Sequence, residues 1–137
     1  MNGETDLQKL LNNMKPELNP GAFVFCLLDT FEHAVKLKPL FIFREQEGVT
    51  VILPKEQADE AQLTYPTVCA WITLTVHSSL EAVGLTAAFS KALTEANISC
   101  NVIAAFHHDH IFVPDKDAKA AMNALLEITK DQGSNIV

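Results

Sequence analysis

The stretch WITLTVHSSLEAVGLTAAFSKALTEANISCNVIAAFHHDHIFV, residues 71–113, determines the predicted fold. Its first seven residues alternate between polar and apolar, which indicates a strand with one buried face. Apolar residues then recur at helical spacing from Leu85 to Ala96 and predict a helix. An apolar run over 98–106, a polar pair at His107 and His108, and a new apolar pattern from Ile111 predict two strands joined by a turn. With a helix expected over 117–129, the order β-α-β-β-α is most of a ferredoxin-like unit.

The first sixty-odd residues repeat this order in degraded form. Residues 6–14 predict a short helix, the apolar run 22–28 a buried strand, residues 40–53 a hairpin, and residues 55–61 a short polar helix. Residues 30–38 have no clear period, and we expect a loop or a short strand there. The predicted fold class is therefore α+β, with two tandem ferredoxin-like units of antiparallel sheets and helices on one face. The first unit, residues 1–65, is expected to be degenerate, and the second covers residues 66–137.

Composition restricts the classes of function. The chain of 137 residues is 48% apolar and carries a net charge of −7, with ten scattered Lys and Arg residues, which argues against nucleic-acid binding. No apolar run approaches the ~18 residues that cross a bilayer, and the acidic N-terminus does not resemble a signal peptide. Three widely spaced cysteines without a C-x-x-C motif predict reduced thiols in a cytoplasmic protein.

The loop before the second-half helix is the first candidate site. Ser78 and Glu81 match the S-x-x-E capping box, which satisfies the unpaired amides at a helix start. Gly84 also lies in this loop, and its missing side chain would let a ligand approach the backbone near amides that attract a carboxylate. A loop of this kind can serve both purposes.

A histidine-rich turn is the second candidate site. His107, His108, Asp109 and His110 are residue types that bind zinc, and His77 could add a ligand from the neighbouring strand end. Successive residues of a strand point to opposite faces, however, so the four consecutive side chains should not converge, and a polar turn is the preferred interpretation. In an intermediate interpretation, Asp109 lies beside the loop at 78–84 and binds a ligand ammonium group.

Other catalytic signatures are absent from the sequence. There is no G-x-S-x-G elbow, P-loop, G-x-G-x-x-G motif or evident acid–base pair, and the cysteines lie in apolar strand patterns. The sequence therefore predicts no catalytic residue, no cofactor and no metal, and an enzyme is the weaker hypothesis.

Four stretches carry a family resemblance: MKPELNPGAFVFC (14–26), REQEGVTVILP (44–54), VHSSLEAVGLTAAFS (76–90) and NVIAAFHHDHIFVP (101–114). They resemble small bacterial proteins built from two tandem ACT-like domains. Those proteins are similar to the ACT units of aspartate kinases and of eukaryotic cytosolic arginine sensors. The resemblance implies βαββαβ units that hold a small ligand, usually an amino acid, at the unit interface.

The resemblance also implies where that ligand would bind. The first strand-to-helix loop would contribute His77, Ser78, Ser79, Glu81, Val83, Gly84, Leu85 and Thr86, and the turn after the second strand would contribute Phe106, His107 and Asp109. Backbone amides near Gly84 would take the ligand carboxylate, and Asp109 or Glu81 would pair with its ammonium group.

Two departures from the family pattern shape the expected function. ACT units usually regulate an attached catalytic domain, and none is evident in this sequence. The last strand of the second unit is short or missing, so a sheet edge is either open, which would favour a homodimer, or filled by another element. We expect a non-catalytic, cytoplasmic amino-acid-sensing module that acts by population shift. The alternatives are a small metal-dependent enzyme built on His77 and residues 107–110, or an interaction scaffold without a small ligand.

Overall fold

The computed structural model describes residues 3–75 and 84–130, and the side chains of all of these except residues 3–6 and 10. The helices are α1 (Gly3–Asn13), α2 (Phe31–Lys36), α3 (Lys55–Glu60), α4 (Leu85–Glu95) and α5 (Ala118–Thr129), and a 3-10 turn (Asp115–Asp117) precedes α5. The strands are β1 (Lys15–Leu18), β2 (Phe23–Leu28), β3 (Phe41–Glu45), β4 (Gly48–Pro54), β5 (Val68–Thr75), β6 (Asn101–Ala104) and β7 (Asp109–Pro114).

The chain divides into two compact units that differ from a simple split in the middle. Residues 20–70 form one, here called the inserted unit, and residues 1–19 together with 71–137 form the other, the outer unit. This grouping concerns packing in space. The predicted division along the sequence at residues 65 and 66 remains our proposal for the domain limits.

The inserted unit is a complete βαββαβ arrangement. Its strands lie in the order β3-β4-β2-β5, with antiparallel pairing throughout. Alternate residues of β2 and β4 point to one side and form a core with the helices, which comprises Val24, Cys26, Leu28, Ala34, Val49, Val51, Leu53 and Ala58. Ala34 belongs to α2 and Ala58 to α3, so both helices cover the same face of the sheet.

Helix α2 corrects the prediction for residues 30–38, where a loop or a strand was expected. Thr30 caps this helix, because its Oγ1 accepts a hydrogen bond of 3.1 Å from the backbone N–H of His33. Six residues give too short a periodic pattern to stand out in the sequence, and burial of Ala34 against the sheet stabilises the helix instead.

The outer unit completes its sheet with the N-terminal segment. Its strands lie in the order β1-β5-β7-β6, and β1 pairs antiparallel with β5 from Lys15 opposite Thr75 to Leu18 opposite Ile72. Strand β1 thus occupies the position of the last strand, which the sequence pattern of the second half predicts to be short or missing. Pro16, which cannot donate to a ladder, is tolerated there because β1 is an edge strand of this unit.

Two helices fill the core of the outer unit. Ile72 and Leu74 of β5 are completely buried, whereas Trp71, Thr73 and Thr75 are only partly buried, which confirms the predicted alternation. Helices α4 and α5 supply the buried side chains that face this core, namely Leu85, Phe89, Leu93, Ala121 and Leu125. The predicted fold class of two tandem ferredoxin-like units is confirmed. Within the described ranges, no helix is both long and apolar enough to cross a membrane.

Candidate functional site

The end of strand β5 in the outer unit is held beside the start of β7 by a polar contact network. The indole Nε1 of Trp71 donates a hydrogen bond of 3.0 Å to Nδ1 of His110, and Oγ1 of Thr73 lies 3.3 Å from the same nitrogen. The Trp71 ring also stacks on Phe112, with 6.3 Å between ring centroids and 12° between ring planes. Strand β7 therefore begins next to the point where β5 ends.

Asn19, which follows β1, extends this network. Its Nδ2 donates to Oγ1 of Thr73 at 2.9 Å and to the carbonyl oxygen of Trp71 at 3.2 Å. Because Thr73 Oγ1 accepts from Asn19, the Thr73 hydroxyl is available to donate to His110. An indole can only donate, so Nδ1 of His110 is an acceptor and the imidazole is neutral, with its proton on Nε2. Consistently, burial is the main cause that lowers the pKa of His110, and the nearby charge of His108 lowers it further.

Asp109 lies at the same end of the sheet but on the opposite face from His110. It alternates with the buried Ile111 and Val113, so it is on the face that the helices cover, one step beyond the core. The side chain is partly buried, and this burial raises the pKa of Asp109 against the opposing influence of His110 and His108. The carboxyl group is therefore partly dehydrated.

The turn between β6 and β7 presents exposed aromatic groups. Phe106 is 96% exposed, and its ring meets His107 edge to face at 4.9 Å between centroids. The backbone N–H of Ala105 donates to the carbonyl oxygen of His108 at 3.0 Å and closes the turn. The buried Nδ1 of His108 has no hydrogen-bond partner within the described part of the chain.

The start of helix α4 gives Gly84 a conformational role. Gly84 has φ +94°, in the left-handed region, and directly precedes the helix. A Cβ atom there would lie 3.6 Å from Cδ2 of Leu7, so the missing side chain faces helix α1 rather than open space. Leu85 is buried in the core and Thr86 is exposed. Leu7 thus lies on this side of Gly84, and the approach of a ligand to the Gly84 backbone stays a prediction.

The other predicted ligand contacts lie outside the described residues. These are His77, Ser78, Ser79, Glu81 and Val83, and the proposed capping box falls in the same segment. The structure therefore places Gly84, Leu85 and Thr86 at the start of α4, and Phe106, His107 and Asp109 at the β6–β7 turn.

Sequence comparison identifies the family of this arrangement. A sequence profile of the ACT domain matches residues 2–70, and a second ACT profile matches residues 67–127. The chain belongs to the ACT domain family. The predicted resemblance to tandem ACT proteins is thereby confirmed.

Solved structures share the fold of this chain. A Vibrio cholerae protein, described as of unknown function and as a possible transport protein, is 45% identical, with a TM-score of 0.87 over 94% of this chain and 100% of that one. The ligand-free regulatory subunit of aspartate kinase from Thermus thermophilus is 12% identical, with a TM-score of 0.61 over 86% of this chain and 97% of that one. An Agrobacterium tumefaciens protein is 15% identical, with a TM-score of 0.67 over 85% and 89% of the two chains. The latter two likenesses concern the fold alone. No similar protein was found among curated proteins.

The histidine-rich turn of this ACT protein does not form a metal site with the residues that are described. Within residues 3–75 and 84–130, no three His, Cys, Asp or Glu side chains lie close enough to bind one metal ion. Along β7, Asp109 and His110 point to opposite faces of the sheet. His77, the additional ligand of the metal hypothesis, is outside the described ranges.

The inserted ACT unit contains a cleft that sequence reasoning missed. It has a volume of about 430 Å³ and lies between the β2–α2 loop and the β3–β4 turn, the same loop type that contributes ligand contacts in the family pattern. Its ionisable lining consists of four carboxylates and one guanidinium, from Asp29, Glu32, Glu45, Glu47 and Arg44. Arg44 also lies over the ring of Phe31, 5.0 Å from its centroid. The cleft escaped prediction because helix α2 was not recognised, so no strand-to-helix loop was expected at Asp29.

Proposed function

We propose that this chain is a non-catalytic regulatory module that binds an amino acid at the end of β5 in the outer unit. Membership of the ACT family, whose domains are regulatory and bind small ligands, supports the general class. The observation that carries the specific site is the partly buried Asp109, which lies at the start of β7, beside the end of β5.

The two ends of an amino acid match groups at this end of the unit. Asp109 forms no salt bridge within the described residues, and its partly dehydrated carboxylate would gain a partner by binding an ammonium group. Helix α4 has eleven residues, and Gly84 at its N-cap provides no side-chain cap. We propose that its first backbone amides take the ligand carboxylate.

Regulation would follow from a difference in ligand affinity between two states of the protein. An amino acid that binds one state better shifts the population toward that state, which is the mechanism we propose for this module. We further propose that the protein acts in the cytoplasm and as a homodimer, so that the ligand changes the association state or the surface offered to a regulated partner.

A thermal-shift screen of the twenty amino acids at millimolar concentration tests the proposal. A ligand at ~100 times its Kd stabilises the folded chain by about 2.7 kcal/mol, which for a protein of this length raises the Tm by roughly 5–10 °C. One or two amino acids should produce such a rise. If none does, the amino-acid proposal fails, and a metal content near one per chain would then favour the enzyme hypothesis.

Two matched variants locate the site. Asp109→Asn should weaken binding of the amino acid far more than binding of its deaminated analogue, because only the former has an ammonium group to lose. Asp29→Asn makes the same chemical change at a carboxylate of the inserted-unit cleft and should leave the affinity unchanged. If Asp29→Asn weakens binding and Asp109→Asn does not, the ligand binds in the inserted unit and the assignment to Asp109 is refuted.

A further inference from the structure

The helix-free face of the inserted unit's sheet is apolar across three strands. Its side chains alternate with the core residues of β2 and β4, so they point away from α2 and α3. The strand registers align them in two rows, namely Phe41 with Ile52 and Phe25, and Phe43 with Thr50 and Leu27. Leu27 is 62% exposed and Phe43 is 57% exposed, which is unusual for large apolar side chains that lie together.

A groove lies beside Leu27 on this face. It has a volume of about 570 Å³ and none of its lining residues is charged: Phe25, Cys26, Leu27, Thr50, Thr64, Tyr65 and Pro66. The groove forms because pairing between β2 and β5 stops at Val24 and Val68, after which the two segments separate. Tyr65 forms one side of the groove, and its hydroxyl donates a hydrogen bond of 2.7 Å to the carboxylate of Asp59. Lys55 donates a second bond of 2.9 Å to the same carboxylate, and the two bonds fix the position of the Tyr65 side chain.

We propose that this face binds a second copy of the chain, with Phe43 of each copy inserted into the groove of the other. A protruding phenylalanine and an uncharged groove occur on the same face of the same chain, as a two-fold symmetric interface requires. Each copy carries a net charge of −7, and the two rows themselves hold no charged side chain, so contact between the copies is confined to these rows. Glu45, the next residue on this face of β3, borders them and accepts a hydrogen bond from Thr50.

The position of Leu27 distinguishes face-to-face contact from pairing at the sheet edge. Strand β3 is the edge strand of the inserted unit, and β2, which carries Leu27, is two strands away. At about 4.8 Å per strand, Leu27 lies roughly 10 Å from the edge, so a partner strand added to β3 would leave it exposed. A second copy packed on the face would cover Leu27 and Phe43 together. This inference gives the surface for the homodimer proposed above and does not depend on the ligand.

Light scattering coupled to size-exclusion chromatography of the full chain, from micromolar to submillimolar concentration, tests this surface. Phe43→Glu should convert a dimer to a monomer, because the two reciprocal phenylalanines contribute roughly a factor of ten or more each, which raises the dissociation constant at least about a hundredfold. Val35→Glu is the matched control, since Val35 is 48% exposed but lies on helix α2. It should remain dimeric.

A mixing experiment tests the reciprocal insertion itself. Phe43→Ala removes the inserted ring, and Thr64→Trp fills the groove from its exposed rim, so each variant alone should be largely monomeric. Mixed together, they retain one intact ring and one open groove per pair, and the mixture should form heterodimers. Absence of heterodimers from two folded variants would overturn the inference.

The outcomes separate this inference from the proposed function. A wild-type monomer over the whole concentration range overturns both this surface and the proposed homodimer. A dimer that survives Phe43→Glu, or that Val35→Glu disrupts equally, overturns this surface and leaves the homodimer standing. Thermal shifts with amino acids report on the ligand site in either case.

Discussion

Replacing Thr73 with valine should destabilise the outer unit by an amount set by the contacts of its hydroxyl. The hydroxyl oxygen accepts a hydrogen bond from Asn19 and lies 3.3 Å from Nδ1 of His110. Each such bond contributes about 0.5–1.5 kcal/mol to stability. Asn19 keeps its bond to the Trp71 carbonyl and His110 keeps the indole, so no polar group loses its last partner. We therefore expect a loss of about 1–2 kcal/mol, or roughly 3–7 °C in Tm for this chain length.

Thr75 provides the control, since Thr75→Val makes the same chemical change two residues later on the same face of β5. No hydrogen bond of the Thr75 side chain occurs within the described residues, so the stability of this variant should match that of the wild type. Chemical denaturation and thermal unfolding, each followed by circular dichroism, measure both variants. Equal losses at the two positions would refute the assignment of the Thr73 effect to its hydrogen bonds.

The Thr73 effect should also depend on pH. Burial holds the pKa of His110 below its ordinary value of 6.5, so the unfolded chain binds a proton at this histidine more readily than the folded chain does. The stability of the wild type therefore declines as the pH falls below about 6.5. Thr73→Val removes a donor that favours the neutral imidazole, which raises the pKa of His110. The stability deficit of the variant should thus be largest above pH 7 and narrow below pH 6. A deficit that is constant from pH 8 to pH 5 would show that Thr73 does not act on His110.

Two further predictions concern the candidate site. Gly84→Ala should cost about 1–2 kcal/mol, or roughly 3–7 °C in Tm, because alanine is strained in the left-handed region, and Gly21→Ala, at φ +99°, should cost a similar amount. Ligand affinity, measured by calorimetry, should be unchanged in Gly84→Ala, because the added methyl group points toward Leu7. A loss of affinity in this variant would show that the ligand approaches the backbone at Gly84. Burial raises the pKa of Asp109 above 3.8, so the folded state is favoured while this carboxyl is protonated, and that stability is lost as the pH rises and the carboxyl ionises. Asp109→Asn removes the buried charge and should therefore stabilise the free protein at neutral pH. Denaturation at pH 7 and at pH 3 tests this, since a gain of equal size at both pH values would contradict it.

Much of the fold could be predicted where the pattern is local. Helix α5 was expected over 117–129 and spans Ala118–Thr129, and the hairpin expected over 40–53 is β3 and β4. Strand β6 is shorter than the apolar run 98–106 indicated. Ile98 is buried before the strand begins, so its apolar character reflects packing of the connecting segment rather than the ladder.

Strand β1 could not be predicted because its cause is not local. Its four residues, KPEL, contain a proline and show no useful alternation, and only pairing with β5 makes them a strand. The candidate site could be predicted only in part, because some of its contacts are also not local. The turn residues and Asp109 were named from the sequence, but the network of Asn19, Thr73 and Trp71 around His110 depends on strands that meet only in the folded unit.

The pairing of β1 with β5 has a consequence for how the chain folds during synthesis. Lys15 pairs with Thr75, so the N-terminal segment emerges from the ribosome long before its partner strand exists. The inserted unit lies between them and has all of its own strands by residue 70. Contacts this distant in sequence close slowly, because the intervening chain must first lose entropy. We therefore expect the inserted unit to fold first and the N-terminal segment to close the outer unit afterwards, so that chaperones would meet the chain with β1 still undocked.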